Sequence, residues 1–564
     1  MTISPTPLLV NGVIADQPAV ERRSGNYTDC VWDYEYIQSS MRNDYIEDKF
    51  RMQVEEMRQQ VLDMLGCISD QAMQLELIND LQRLGVAYHF EKEIISILGR
   101  IYHKTDVVFG DNMTDADLYT TALSFRLFRQ HRYAVPQDVF RPFLDDTGKF
   151  KSSLCADIKG LISLYEASYL ATEGEDIMEE AWTFTTANLN KLINKQADNA
   201  YLDGLLAHAL DMPLHCRTAR HEARWFIEEA YEKKLNMSPL LLHFGKLDFN
   251  VVQAMYLEEL RDLSRWWKNL GFRQDLSFAR DCLVVSHMWG IMASSEPQYA
   301  ACRRAYAKFI ALVSTVDDIY DIYGTLEELE LFTDAYERWD TPAMGQLPHY
   351  MKKCYLACFN CVNEMAYDVL NDKGYDSTPS LKKAWADLTK SYMKEARWFH
   401  SGYKPTLDEY MTNALVTISM PSCSLHGHVF DPKPIMGKQV QYLVSYPALL
   451  KWSSITLRLL DDLGTSTDEM ARGDTLKAIQ CYMNDTGASE QAAREHVEDL
   501  VREGWKKVNK LVLEERILPA AGIERLLNSI RAGHCFYQHG DGHGIQDGVT
   551  KQLMSKLLFD PILL

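Results

Sequence analysis

Two acid-rich stretches each stand directly after apolar, helix-forming sequence. STVDDIYDIYG, residues 314–324, carries Asp317, Asp318 and Asp321. At about 100° per helical residue, Asp317 and Asp321 fall within about 40° of each other, and Asp318 lies about 100° round. Like charges at i,i+4 cost a helix about 0.2–0.5 kcal/mol, a cost that a bound cation removes. Far downstream, LRLLDDLGTSTDEMARG, residues 457–473, holds Asp461, Thr465 and Glu469 at i, i+4 and i+8, which places them at about 0°, 40° and 80° on one helical face. Two carboxylates with a hydroxyl between them form an all-oxygen set suited to a hard cation such as Mg²⁺. If the two helices face each other across a bundle, metal between them can hold a diphosphate. An acidic helix end in an acidic chain is ordinarily a solvated face. The occurrence of two such segments, each emerging from apolar helix where unpaired carboxylates are expensive to desolvate, favours the metal reading.

Basic residues nearby fit an anionic ligand. Arg458 precedes Asp461 by three positions and Arg472 follows it by eleven, both within about 60° of its face if the helix persists past Gly473. Arg280 lies upstream of the first segment, in LSFARDCLVVSHMWG. A guanidinium grips phosphate oxygens in pairs, whereas its ordinary alternative is a surface ion pair.

The elements that must position these groups are helical. In RRAYAKFIALVSTVDDIYDIYG the apolar residues Phe309, Leu312, Val313, Val316 and Tyr320 recur with the period of a core-facing helix, and Gly324 ends it. Similar patterns run through the chain and alternating β-branched runs are scarce, so the fold class is all-α. At 564 residues one hydrophobic core is too few, and two helical domains are expected. A Pro-bearing stretch between about residues 212 and 240 marks the hinge. EARWF occurs at 222–226 and again at 395–399, too short a match for a repeat.

With 46% hydrophobic and 24% charged residues the chain has the composition of a globular protein rather than a disordered one. A net charge of −20 argues against nucleic-acid binding, which needs Lys and Arg against phosphates. No run of 18 apolar residues is present, so no membrane span is expected. The first twenty residues lack Arg and Lys and include Asp16, unlike a transit or signal peptide, and point to a cytoplasmic chain, or to a plastid one whose leader has been removed. The 12 cysteines are dispersed and read as reduced thiols. Cys354, Cys358 and Cys361 fall at helical spacing and read as buried packing.

DDIYD at 317–321 and DDLGTSTDE at 461–469, in that order, resemble the class I terpene synthases of plants. So do Arg22-Arg23 followed by Trp32, as in the tandem-arginine monoterpene subfamily, and RWW at 265–267, EPQY at 296–299 and QHGDG at 538–542. The resemblance covers nearly the whole chain. It implies a strand over 1–32 capping the active site, a non-catalytic α-barrel-like domain over 33–230 that lacks the DxDD acid, and a catalytic metal-binding α-bundle over 231–564. It implies Asp317 and Asp321 as Mg²⁺ ligands with Asp318 in support, and Asp461, Thr465 and Glu469 as ligands of a third ion, with Mn²⁺ a possible substitute for Mg²⁺. Arg280, Arg458 and Lys477 match the groups that take the departing diphosphate, and Trp289 an aromatic of the cavity wall. Of Trp266 and Trp267, adjacent on a helix, at most one can face the cavity. Phe536 and Tyr537 both remain open as the cavity tyrosine's counterpart, with Asp541 a minor candidate. One departure is plain: Arg280-Asp281-Cys282 stands where the family often has Arg-x-Arg, so a second guanidinium is missing.

The implied reaction is metal-assisted ionisation of a prenyl diphosphate in a monomeric enzyme, giving a monoterpene or sesquiterpene olefin or alcohol. The tandem arginines favour geranyl diphosphate, and the absent leader favours farnesyl diphosphate. A prenyl-chain-elongating synthase would be shorter and would show a second DDxxD. A helical scaffold offers no reason for two metal-like triads in one chain.

Overall fold

A computed structural model describes residues 22–27, 30–39, 44–105, 117–193, 199–434, 436–546 and 548–564, with the side chains of residues 44, 105, 468, 471 and 472 outside that description. The readings made for the first twenty residues and for Arg472 therefore lie outside the described residues. As the hydrophobic periodicity requires, the described chain is helical throughout. Its sole β feature is an isolated bridge between Leu144 and Phe150.

The expected hinge is not a loose linker. Residues 214–233 fold into short helical turns whose Arg217, Arg220, Glu222 and Phe226 are buried, and Ser238 caps the long Pro239–Leu270 helix with Pro at its start. Glu222 accepts from Arg83 and His208, each at 2.7 Å. Burial alone would push its carboxyl up, but Arg83 and His208 more than offset that and hold it well below its ordinary 4.5. A depressed acid contributes stability that is complete above the unfolded-state value and is lost as pH falls. Burial also pushes His208 down, which adds to the same slope. The urea midpoint should therefore fall as pH drops below about 4.5 in the wild type, and fall less steeply there in Glu222→Gln, as read by tryptophan fluorescence. An equal slope in both would contradict this assignment.

The cavity is enclosed by a set of long helices. Ala300–Asp318 packs on Leu283–Ala293 and carries the first acidic segment. Thr378–Ser401, Leu407–Thr417 and Met420–Val429 form the next wall. Ala448–Arg472, with the second acidic segment, packs against Ala520–Tyr537. The second acidic helix does persist to Arg472, where Gly473 takes φ 78° and ends it. Gly464 within that segment admits no side chain, since a Cβ there would meet Tyr537 Cβ at 2.8 Å and Gly540 O at 3.1 Å. The helix therefore lies directly against the chain around residues 537–540.

All 12 cysteines are free thiols, and Cys354, Cys358 and Cys361 are buried, as packing predicts. Trp32 packs on Phe559 with its ring tilted by 45° and the ring centroids 4.6 Å apart. The C-terminal residues are in turn pinned by Asn250, which both donates to and accepts from Ile562 at 2.8 Å.

Candidate active site

The first acidic helix does not end as a regular α-helix. Residues Ile319–Tyr323 form a π-turn, closed by Gly324 N–H on Ile319 O at 2.8 Å. Such wide turns recur at functional sites. Each residue in it rotates by less than 100°, which brings Asp321 closer to the azimuth of Asp317 than the 3.6-residue count predicts. Both line one cavity together with Asp461, Thr465 and Glu469. The two oxygen-rich faces, distant in sequence, thus open on the same space.

Burial pushes the Asp321 carboxyl well up, Asp317 adds to this, and Lys477 opposes it. Asp461 is pushed up to about 7 by burial and by Glu469, against the pull of Arg458, which donates to it at 2.6 Å. Thr465 Oγ1 donates to Glu469 Oε2 at 3.0 Å, and Lys477 Nζ lies 3.5 Å from that oxygen. Burial works against the charge of Lys477, but Glu469 and Asp321 outweigh it and hold its pKa up. Six carboxylates line the cavity against the cations Arg280, Arg458 and Lys477, which leaves acidic groups in excess. A donor set that is all oxygen and short of positive charge fits a hard divalent cation.

Among the described residues, no three carboxylate, imidazole or thiol groups converge closely enough to enclose an ion unaided. Mg²⁺ is usually held by one or two carboxylates with water and substrate phosphate completing its shell.

Asp318 is placed differently from its neighbours. Only 1% exposed and turned away from the cavity lining, it accepts from Arg280 N–H at 2.8 Å, from Arg280 Nε at 2.9 Å and from Tyr27 Oη at 2.9 Å. With its oxygens so occupied it orients Arg280. Arg280 also reaches Asp317 Oδ2 at 2.9 Å. Cys282 is buried outside the cavity lining, so the cations facing the cavity are Arg280, Arg458 and Lys477.

The tandem arginines bridge both acidic segments. Arg22 pairs with both Glu328 oxygens at 2.8 Å and donates to Tyr323 O at 2.8 Å. Arg23 donates to Asp321 O and, at 2.9 Å, to Gly473 O, while its guanidinium lies 4.2 Å from the Phe399 ring centroid.

Trp289 lines the cavity and packs at a tilt against Phe536, with ring centroids 4.8 Å apart. Of the two C-terminal aromatics, Tyr537 faces the cavity, as does Asp461. Asp541 also lines it and accepts from Gly544 N–H at 2.7 Å. Neither Trp266 nor Trp267 reaches the lining; Trp267 donates to Asp281 Oδ1 at 2.9 Å.

Sequence reasoning missed several cavity residues, and two of them bear on the charge of the site. His543 accepts the Trp289 indole N–H on Nδ1 at 3.2 Å, so its Nε2 carries the proton shared with Ser314 Oγ at 3.1 Å. Burial and Arg280 push it down to about 3. It is neutral, and its one lone pair is covered. The other is Glu395, on the Thr378–Ser401 helix; its only sequence signal was the EARWF fragment. The match with residues 222–226 has no structural counterpart, because Glu222 serves a buried ion network and Glu395 faces the cavity.

An all-α fold whose two acidic helices open on one cavity defines the class I terpene synthase arrangement, and the comparisons agree. Residues 268–507 match the description "Terpene synthase family, metal binding domain" and residues 31–210 "Terpene synthase, N-terminal domain". The chain belongs to the terpene synthase family. It is 47% identical to the (−)-alpha-terpineol synthase of Vitis vinifera, over 96% of this chain and 91% of that protein. It is 46% identical to the chloroplastic myrcene synthase of Quercus ilex, over 99% and 93%. Among solved structures, limonene synthase with 2-fluorolinalyl diphosphate superposes with a TM-score of 0.93 at 43% identity, covering 96% of this chain and all of that one. Isoprene synthase from grey poplar (Populus x canescens), in complex with three Mg²⁺ ions and dimethylallyl-S-thiolodiphosphate, superposes with a TM-score of 0.85 at 39% identity, covering 95% and 99%. Among the described residues no helix is long and apolar enough to cross a membrane.

Proposed function

We propose that this terpene synthase ionises geranyl diphosphate, and accepts farnesyl diphosphate, releasing diphosphate and forming a monoterpene or sesquiterpene olefin or alcohol through an allylic cation. The observation that carries this reading is the single cavity with oxygen donors on two facing helices, three cations between them and an aromatic wall beyond. Asp317, Asp321, Asp461, Thr465 and Glu469 would hold three Mg²⁺ ions, or Mn²⁺ in their place. When bound, these ions neutralise the charge that builds on the leaving diphosphate.

Arg280, Arg458 and Lys477 grip the diphosphate oxygens and keep them oriented after departure. Asp318 and Tyr27 hold Arg280 in place. The Trp289 face stabilises the hydrocarbon cation by about 0.5–2 kcal/mol without offering a lone pair. His543, with Nδ1 covered by Trp289 N–H, likewise presents no free base to the cation. The segment bearing Arg22 and Arg23 spans the cavity mouth and excludes water. We assign the cap to residues 1–32, the non-catalytic helical domain to 33–230 and the catalytic domain to 231–564, acting as a monomer. The chloroplastic relative supports a plastid location.

Gas chromatography after incubation with each diphosphate and Mg²⁺ tests the reading. A volatile ten-carbon product from geranyl diphosphate, abolished by a chelator and restored by Mg²⁺, is expected. A longer prenyl diphosphate would identify an elongating synthase instead, and metal-independent turnover would contradict the site.

A further inference from the structure

Glu395 belongs to neither acidic segment, yet it is 6% exposed and lines the same cavity as Asp321, Arg458, Glu469 and Lys477. Its Oε1 accepts from Asn413 Nδ2 and from Thr417 Oγ1, both at 2.9 Å. Both donors lie on the Leu407–Thr417 helix, of which Thr417 is the last residue. A helical threonine hydroxyl ordinarily turns back to the carbonyl four residues earlier, as Thr389 does to Trp385 O at 3.0 Å. The Thr417 hydroxyl reaches across to Glu395 instead.

The carbonyl of Thr417 is held from the same side. Pro421 lacks the N–H that would close on it, and Tyr392 Oη, one turn before Glu395, donates to it at 3.2 Å. Two residues on, Ser419 takes φ +62°, a left-handed conformation that a non-glycine residue keeps only when its surroundings fix it. Residues 417–420 of this break line the cavity. Burial pushes the Glu395 carboxyl up, and the charges of Lys477 and Arg458, which line the same cavity, oppose that most strongly. It is therefore one carboxylate facing two different tasks: one oxygen on the backbone break, and a negative charge beside two of the diphosphate-facing cations.

We propose that Glu395 is a positioning residue, whose hydrogen bond to Thr417 fixes the backbone break against which the hydrocarbon folds and whose charge moderates the grip of Lys477 and Arg458 on diphosphate. The proposal rests on the diphosphate-ionising function given above. It places a control on product geometry and a control on product release in one side chain.

Two near-isosteric variants separate the tasks. Glu395→Gln keeps an acceptor for Thr417 and removes the charge, whereas Thr417→Val keeps the charge and removes the hydroxyl. Calorimetry with inorganic diphosphate and Mg²⁺ should show Glu395→Gln binding about tenfold more tightly than wild type, since a unit charge beside the two cations is gone. Its product ratio should stay unchanged and its steady-state turnover should fall more than its single-turnover rate. Thr417→Val should bind diphosphate as the wild type does but change the product ratio, and Thr417→Ser should restore it.

Weaker diphosphate binding in Glu395→Gln would make Glu395 a carboxylate of the metal shell and overturn the proposal. So would unchanged diphosphate affinity in Glu395→Gln, an unchanged product ratio in Thr417→Val, or parallel changes in both variants accompanied by a common loss of Tm. A wild-type protein that binds diphosphate but turns over no prenyl diphosphate would instead defeat the functional reading, leaving the calorimetric comparison to report on Glu395.

Discussion

Asp321→Asn should lower kcat by about 10²–10³-fold while leaving the metal-free protein at least as stable as the wild type. The two halves of this expectation share one cause. Asp321 stands on the π-turn with Asp317 as a like-charged neighbour, and burial and that neighbour both disfavour its charge. Removing the charge relieves repulsion of about 0.2–0.5 kcal/mol for such a pair, and asparagine fills the same volume. A residue kept for packing would behave in the opposite way, losing stability on substitution and sparing turnover. Thermal melts without metal, beside single-turnover rates with Mg²⁺, read both quantities. A substantially lower Tm with activity retained would show that the acidic face is structural.

The second large effect concerns Arg280. Asp318 is almost wholly buried and takes two of its three hydrogen bonds from Arg280, one of them from the backbone and so unaffected by substitution. Even with that pairing, burial holds its carboxyl up at about 6. Arg280→Ala strands the carboxylate with Tyr27 and a backbone N–H as its remaining donors, and breaking one side of a buried pair costs about 3–5 kcal/mol. Turnover should fall with it, because the same guanidinium faces the cavity and reaches Asp317. Arg280→Lys should not restore either property, since an ammonium cannot span both aspartates as the planar fork does. In Arg280→Ala/Asp318→Asn the stability loss should be smaller than the sum of the single losses by about 0.5–3 kcal/mol, as read by urea unfolding, while activity stays low. Additive losses would mean that the two side chains do not act as a pair.

These two cases mark how far the sequence could be read. Helical class followed from the apolar period alone, and the spacing of Asp461, Thr465 and Glu469 survived into the structure because their helix runs unbroken to Arg472. The first segment was read through a regular helix that the chain does not form at Ile319–Tyr323, so the azimuth of Asp321 shifted, and Asp318 proved to be committed to Arg280. That commitment depends on Tyr27, nearly three hundred residues away in the chain, and no local pattern encodes it. Glu395 and His543 escaped for related reasons. One is a lone acid within an ordinary amphipathic helix. The other is defined by the indole N–H that covers its nitrogen, a contact between distant segments.

The central claim is that both acidic helices act together on one cluster of metal and diphosphate. Calorimetric titration of inorganic diphosphate in the presence and absence of Mg²⁺, on the wild type, Asp321→Asn and Asp461→Asn, tests it most directly. Binding that requires Mg²⁺ and is lost in either single variant is the predicted result. Diphosphate binding that needs no Mg²⁺, or that survives the loss of one wall undiminished, would contradict it.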